Sequence, residues 1–426
     1  MEKKFIVPRG TKDILPSDIP VWERIENIAR MFFKIYGYRE IRTPIFEETG
    51  LFKRSLGQTS DVVTKQLLNL ASQNEEGFSL RPEGTASIVR SYIENSLDKK
   101  ESLSKLYYIG AMFRGERPQK GRLRQFHQIG VEAIGPDSCS PFLDAEVICL
   151  SVHLLESFGV KDFILKINTL GTLEDKSRFA ELLTEKLKSK LSGLCEECQG
   201  RFSKNVFRVL DCKNRGCQTV VQDLACGQDW LSKESREYFL AVKAILTSLG
   251  IAYVESPGLV RGLDYYTSTV FEISSPSLGS QDALGAGGRY DDLVSQLGGS
   301  SADAVGFSLG IERILLALSE DKDLSPAYLD AFFVALDEES FKSAFRLLNN
   351  LRKRKIACDI SFRYAASMKS QMRLADKSGA RYVLILGEDE LRNGVVTLKN
   401  MAEGIQSKEK IEDLDKIIST LKGKVI

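Results

Sequence analysis

The residues best placed to do chemistry are concentrated in FRGERPQKGRLRQFHQIGVEAIG, residues 113–135. The second half of this stretch alternates as a strand does, so successive side chains fall on opposite faces. Phe126, Gln128, Gly130 and Glu132 share one face; His127, Ile129, Val131 and Ala133 share the other. The apolar set should pack on a core. The opposite face then presents an amide and a carboxylate, with a glycine between them where a ligand could approach the backbone. Arg114 closes the preceding run and Glu116 follows two residues on. Any one of these pairs reads as ordinary surface polarity; the set together reads as a site.

A second group is made of thiols. Cys195 and Cys198 form C-x-x-C, and Cys212 and Cys217 follow as C-x4-C, a spacing that approaches a four-thiolate zinc knuckle. The bland alternative is a set of small buried residues, as Cys139, Cys149, Cys226 and Cys358 are elsewhere. In a reducing cytosol a disulfide is the weaker explanation. Thr85, in RPEGT, has the type of a helix N-cap.

Other chemistries are excluded. The chain has only two histidines, His127 and His153, too few for a zinc hydrolase built on several imidazoles. Neither lies in the context of an activated serine. GAGGRYDD (285–292) lacks the lysine and spacing of a P-loop, and no G-x-x-x-x-G-K-[ST] occurs. No run approaches the roughly 18 to 20 apolar residues of a membrane helix, and MEKKFIVPRG has no secretory core. Cytoplasmic residence without membrane association is expected. With a net charge of +1, any nucleic-acid contact must come from local basic patches such as Arg352–Lys355 (RKRK).

The elements that must position these groups can be read from periodicity. At 426 residues the chain should hold two to four domains. Trp22, Ile25, Ile28, Ala29, Phe32 and Phe33 form a helix-period stripe over 19–36. A strand-like YREIRTP follows, and residues 85–95 read as a second helix. Residues 106–114 and 123–134 read as two strands joined by a polar loop. FILKIN is strand-like, residues 173–225 are polar and cysteine-bearing, and helical signal resumes over 235–249. AVGFSLGIERILLAL reads as a strand running into a helix. After the break at 324–329, AFFVAL, a helix over 339–354, ACDIS, a helix over 367–377 and YVLIL make a βαβαβ series, hence a small doubly wound α/β domain.

FRGE followed by RLRQFHQIGVE resembles motif 2 of the class II aminoacyl-tRNA synthetases, in the form found in the bacterial-type histidyl-tRNA synthetase family. Motif 1 is matched at about 38–55, with Pro44; motif 2 spans about 106–134; motif 3 is matched by GFSLGIERILL, at about 304–318. LVRGLDYYTSTVFE and GAGGRYDDL resemble two peptides peculiar to the histidyl enzymes. The resemblance runs from PRGTKD to KSGARYVLILGEDE, nearly the whole chain. It implies an α+β fold: a class II antiparallel sheet flanked by helices (1–325), interrupted by a helical insertion at about 173–235, and an anticodon-binding α/β domain over 328–426.

By the same resemblance the activity is ligation of histidine to tRNA(His), with ATP and Mg²⁺, through an adenylate. Arg114 and Arg261 are implied at the α-phosphate, and Arg122 and Arg313 at the γ-phosphate. Guanidinium suits these oxygens because it donates in a fixed fork. Glu116 is implied at the adenine amino group and Phe126 beneath the ring. Glu83, Gly84, Thr85 and Gln128, together with Arg114 and Arg261, are implied around histidine. Neutral imidazole presents one donor and one acceptor nitrogen, which Glu132 and Tyr266 could answer, with Tyr265 and Tyr290 as walls. Gln119 matches a position thought to probe the extra 5′ guanosine of the tRNA. A homodimer through motif 1 is implied as well. Two rivals keep the fold but change the activity: a regulatory subunit of ATP phosphoribosyltransferase, and a class II synthetase for another amino acid. The intact RGLDYY peptide and C-terminal domain oppose the first; the peptide around Arg261 and the Glu132/Tyr266 pair oppose the second.

Overall fold

The stripe at Trp22, Ile25, Ala29 and Phe33 folds as the helix Ile19–Ile35, which buries those four side chains. The computed structural model describes residues 5–422, except 59, 72–76, 204, 213, 223, 225–228, 319–328 and 365. Cys226 and most of the break at 324–329 lie outside the described residues. The chain divides into two units, Met1–Glu320 and Asp321–Ile426.

In chain order the strands of the first unit are β1 (Arg39–Glu40), β2 (Phe46–Glu48), β3 (Asn69–Leu70), β4 (Phe78–Leu80), β5 (Ser104–Phe113), β6 (Gln125–Gly135), β7 (Ile164–Thr169), β8 (Val254–Glu255), β9 (Thr267–Ser274), β10 (Ala283–Arg289) and β11 (Asp303–Gly310). Eight of them form one sheet in the order β1-β5-β6-β11-β10-β9-β7-β8, antiparallel except for its two edge pairs. β2, β4 and β3 form a small second sheet.

One face of the large sheet carries the main core. Ile129, Val131 and Ala133 of β6 pack there with the helices Ile19–Ile35, Pro141–Phe158 and Lys233–Ser248. Burying apolar side chains on this face is what holds β6 in register, because a slip of one residue would turn Glu132 into the core. His153 lies in the second of these helices, with a ring nitrogen 2.7 Å from the Tyr36 hydroxyl. Arg289, only 1% exposed, ties the end of β10 to that same helix through Asp144 at 2.5 Å. The other face of the sheet holds the candidate site.

The described residues of 173–225, which read as a polar tract, form four α-helices, Leu173–Lys188, Glu196–Phe202, Phe207–Leu210 and Arg215–Gln222, with a single 3-10 turn at Leu191–Gly193. They share a small core of their own that includes Phe179, Leu183, Leu187 and Val209.

In the second unit, β12 (Ala331–Ala335), β13 (Cys358–Ile360), β14 (Tyr382–Leu386), β15 (Val395–Asn400) and β16 (Gln406–Lys410) order as β13-β12-β14-β15-β16. The first three are parallel, with helices Glu338–Lys353 and Met368–Lys377 in the crossovers. Apolar clusters cover both sheet faces, as a doubly wound domain requires. The sheet is nevertheless mixed, since β15 and β16 add an antiparallel hairpin that the βαβαβ reading did not contain. The basic run 352–355 is exposed, but Arg352 donates to the Cys358 carbonyl at 2.9 Å, so part of it serves the domain's own structure. Among the described residues no helix is long and apolar enough to cross a membrane.

Candidate active site

β6 supplies the floor. Phe126, Gln128 and Glu132 line an open cleft of about 990 Å³, mouth included. Their strand neighbours face the opposite way, and the His127 ring meets Trp22 edge-on. Gly130 lies on the cleft face, but the Tyr108 ring fills the space above it. A Cβ at Gly130 would come within 2.4 Å of that ring, so the glycine admits Tyr108 rather than a ligand. Gly84 meets the other side of the matter: its Cβ would stand 2.6 Å from Tyr108.

At one end of the cleft sits a buried carboxyl. Glu132 is 1% exposed and accepts from Thr85 Oγ1 at 2.7 Å and from the Tyr290 hydroxyl at 2.5 Å. Burial pushes its pKa up to about 8, against the two donors, which pull it down. Thr85 is therefore not the side-chain cap of its helix. Glu83 does that work, accepting from the backbone N–H groups of Thr85 at 2.6 Å and Ala86 at 2.9 Å. Gly84 occupies the N-cap position itself. Burial raises the Glu83 pKa too. Tyr265, Tyr266 and Tyr290 wall this end, with ring centroids 4.7 Å and 5.6 Å apart in sequence-order pairs Tyr265–Tyr266 and Tyr265–Tyr290. Gln128 lines the cleft and donates to Ser308 Oγ at 3.2 Å, while its Oε1 is buried without a hydrogen-bond partner.

The other end is cationic. Arg114, Arg122, Arg261 and Arg313 all line the same cleft. Arg114 is aimed by a 2.9 Å bond to the Pro82 carbonyl and lies 5.3 Å above the Phe126 ring centroid. Glu116 stands 3.2 Å from Arg122. Arg261 is held by Glu272 at 2.9 Å and lies over Tyr266. Arg313, in the first turn of the helix Ile311–Ala317, donates to the Gly121 and Ala283 carbonyls. Its guanidinium is held below its usual range, first by burial and then by repulsion from Arg122 and Arg114. Crowded cations of this kind are relieved by an anion. A phosphate chain at this end and a polar ligand at the Glu132 end would meet in the middle of one cleft.

Gln119 lies elsewhere, exposed at the tip of the loop between β5 and β6, where its backbone exchanges two hydrogen bonds with Arg122. In the insertion, the sulfur atoms of Cys195, Cys198, Cys212 and Cys217 lie within 4.8 Å of one another. The remaining described cysteines, Cys139, Cys149 and Cys358, stand apart from this group.

Residues 10–314 match the family model for histidyl-tRNA synthetase, and residues 330–421 match an anticodon binding domain. The chain belongs to the histidyl-tRNA synthetase family. A histidine–tRNA ligase of Syntrophotalea carbinolica is 43% identical, covering 96% of this chain and 97% of its own. One from Halothermothrix orenii is also 43% identical, over 96% of this chain and 99% of its own. The apo S. aureus histidyl-tRNA synthetase structure superposes with a TM-score of 0.80 at 37% identity, covering 99% of this chain and all of that one. The chain is thus a ligase of protein biosynthesis. It joins L-histidine to tRNA(His), with ATP going to AMP and diphosphate through histidyl-adenylate. Both rival readings fall with that match.

Several side chains that shape this histidyl-tRNA synthetase site fall inside the quoted motifs, yet neither their type nor their spacing marked a role for them. Glu272 orients Arg261, and Glu312 accepts from the His127 backbone and ring while lining the cleft. Arg81 ties motif 1 to β5, donating to the carbonyls of Thr43 and Ala111, each at 3.0 Å. Gly306, opposite Glu132 in register, leaves room for that carboxylate: a Cβ there would come within 1.9 Å of Oε2.

Proposed function

We propose that the two ends of the cleft divide the adenylation step between them. The observation that carries this reading is one cavity bounded by a buried, doubly bonded Glu132 and by four arginines. Arg114 and Arg261 hold the α-phosphate, where charge builds as a histidine carboxylate oxygen attacks phosphorus and diphosphate leaves. Arg122 and Arg313 hold the γ-phosphate end. Glu116 accepts from the adenine amino group and Phe126 stacks on its ring. Glu83, Thr85 and Gln128 receive the α-ammonium, with Gly84 supplying the turn. Glu132 and Tyr266 take the two nitrogens of the imidazole, and Tyr265 and Tyr290 close around it.

In the second step a tRNA ribose hydroxyl attacks the acyl carbon, AMP leaves, and a phosphate oxygen of the adenylate takes the proton. Mg²⁺ favours hard oxygen ligands. Glu312 on the cleft wall and Glu272 beside Arg261 would offer them, and the ion would supply charge neutralisation for the phosphates.

The catalytic domain comprises residues 1–325, with the insertion at about 173–235 helping to clamp the acceptor arm. Residues 328–426 read the anticodon, and Gln119 probes the 5′ guanosine. The protein works as a cytoplasmic homodimer through motif 1. Ile45 and Phe46, about half exposed, are apolar surface that a second copy would cover. The four clustered cysteines of the insertion form a structural zinc site.

The test is ATP–pyrophosphate exchange with each amino acid in turn. Histidine should support exchange, and Arg261→Ala should lower its kcat by about 10²- to 10³-fold with little change in histidine KM. Wild-type kcat in that variant would remove Arg261 from the phosphate.

A further inference from the structure

The clustered thiols lie on and between three short helices, Glu196–Phe202, Phe207–Leu210 and Arg215–Gln222, with Cys198 in the first and Cys217 in the last. Isolated helices below roughly 12 to 15 residues are marginal, and the core they share is small, with Cys198 and Cys217 themselves among its fully buried members. Cores of this size usually need a covalent or metal staple. Cys195 and Cys212 sulfurs stand 3.9 Å apart. Tetrahedral zinc with Zn–S of about 2.3 Å puts its sulfurs about 3.8 Å apart.

The residues strung between these ligands contact segments of the first unit outside its sheets. Arg201, one turn beyond Cys198, and Arg208, four residues before Cys212, both bind the Asp61 carboxylate, Arg201 at 3.6 Å. Asn205 donates to Asp264 at 3.1 Å. Asp264 belongs to RGLDYY, between Arg261 and the two cleft tyrosines. Phe207 and Leu210 pack both on the insertion core and on the cluster that contains Tyr265, Tyr266 and Tyr290. From the first insertion helix, Lys176 donates to the Asp264 and Tyr266 carbonyls at 3.1 Å and 2.8 Å.

We propose that Cys195, Cys198, Cys212 and Cys217 bind one zinc ion whose task is to close the segment 195–217 into a latch, and that the latch holds in place segment 61–66, which lies beside Arg114 and Glu116, and segment 259–266, which carries Arg261 and the cleft tyrosines. The metal reacts with nothing; it fixes where Arg201, Asn205 and Arg208 stand. The inference rests on the assignment of the Glu132 end to histidine. Failure of that assignment would appear separately, as wild-type histidine use in a Glu132 variant that retains zinc.

Purified full-length protein should contain about one zinc per chain by elemental analysis; absence of stoichiometric zinc overturns the proposal. Removing zinc with a chelator, or by the paired substitution Cys195→Ser and Cys212→Ser, should speed amide exchange in 61–66 and 259–266. Histidine KM should rise by about 2- to 30-fold, the range for mutations along a coupling path, and added zinc should restore the chelated protein. Arg208→Ala keeps all four ligands, so it should retain zinc and still raise histidine KM, which covers the case where the cysteine variant fails to fold. Zinc loss with unchanged exchange and histidine KM, or Arg208→Ala with wild-type histidine KM, overturns the latch.

Discussion

Replacing Glu132 with glutamine keeps the shape of the cleft and changes one acceptor. In the folded protein each carboxyl oxygen already takes one hydroxyl, from Thr85 at 2.7 Å and from Tyr290 at 2.5 Å. An imidazole N–H would add a third bond, to a group buried to 1% exposure. Above about pH 8, where Glu132 is ionised, a hydrogen bond to this charged partner contributes about 1.5 to 3 kcal/mol. Glu132→Gln should therefore lower kcat/KM for histidine by roughly 10- to 160-fold in ATP–pyrophosphate exchange. Glu132→Ala should lose more, because Thr85 and Tyr290 are left without their acceptor. ATP bound in the absence of histidine should keep its affinity within about twofold, as expected for a separate site. If glutamine leaves the histidine KM and exchange rate at wild-type values, or if the loss falls on ATP instead, the reasoning fails.

Because folding raises the Glu132 pKa to about 8, its stabilising contribution is full below the ordinary carboxyl value near 4.5 and is lost as pH rises through about 8. Urea unfolding from pH 5 to 9 should show a steeper alkaline loss in wild type than in Glu132→Gln; parallel curves would contradict the burial argument. Asp144→Ala removes the buried partner of Arg289 and should cost about 3 kcal/mol, the low end for a broken buried pair, because Asp291 and the Ser138 carbonyl still hold the guanidinium. An unchanged denaturation midpoint would refute that. Gly306→Ala places a methyl group 1.9 Å from Glu132 Oε2 and 2.4 Å from the Val131 carbonyl oxygen, so the carboxylate and the β6–β11 pairing must both shift, and histidine KM should rise by at least about tenfold, the effect of displacing one charged hydrogen bond. Equal KM values would mean that the carboxylate has room to move.

The parts of the site that were legible in the sequence are those with a local period. Strand alternation alone put Gln128 and Glu132 on one face of β6 and Ile129, Val131 and Ala133 in the core. The strand-to-helix passage at 303–317 and the first three strands of the second unit were legible for the same reason. What holds Glu132 was not, because Thr85 lies 47 residues before it and Tyr290 lies 158 after. Gly130 and Gly306 likewise answer to Tyr108 and Glu132, neighbours in space that no window of sequence contains. The hairpin β15–β16 escaped because its outer strand is exposed along most of its length and shows no apolar alternation. The insertion looked polar because so few apolar residues make its core, and the family resemblance rather than periodicity supplied its boundaries.

The most direct test of the two-ended cleft is a crystal structure with a non-hydrolysable histidyl-adenylate analogue bound. The imidazole should lie between Glu132 and Tyr266, with the phosphate oxygens against Arg114 and Arg261 and the adenine over Phe126. An analogue bound with its imidazole away from Glu132, or with its phosphate out of reach of both arginines, would contradict the account.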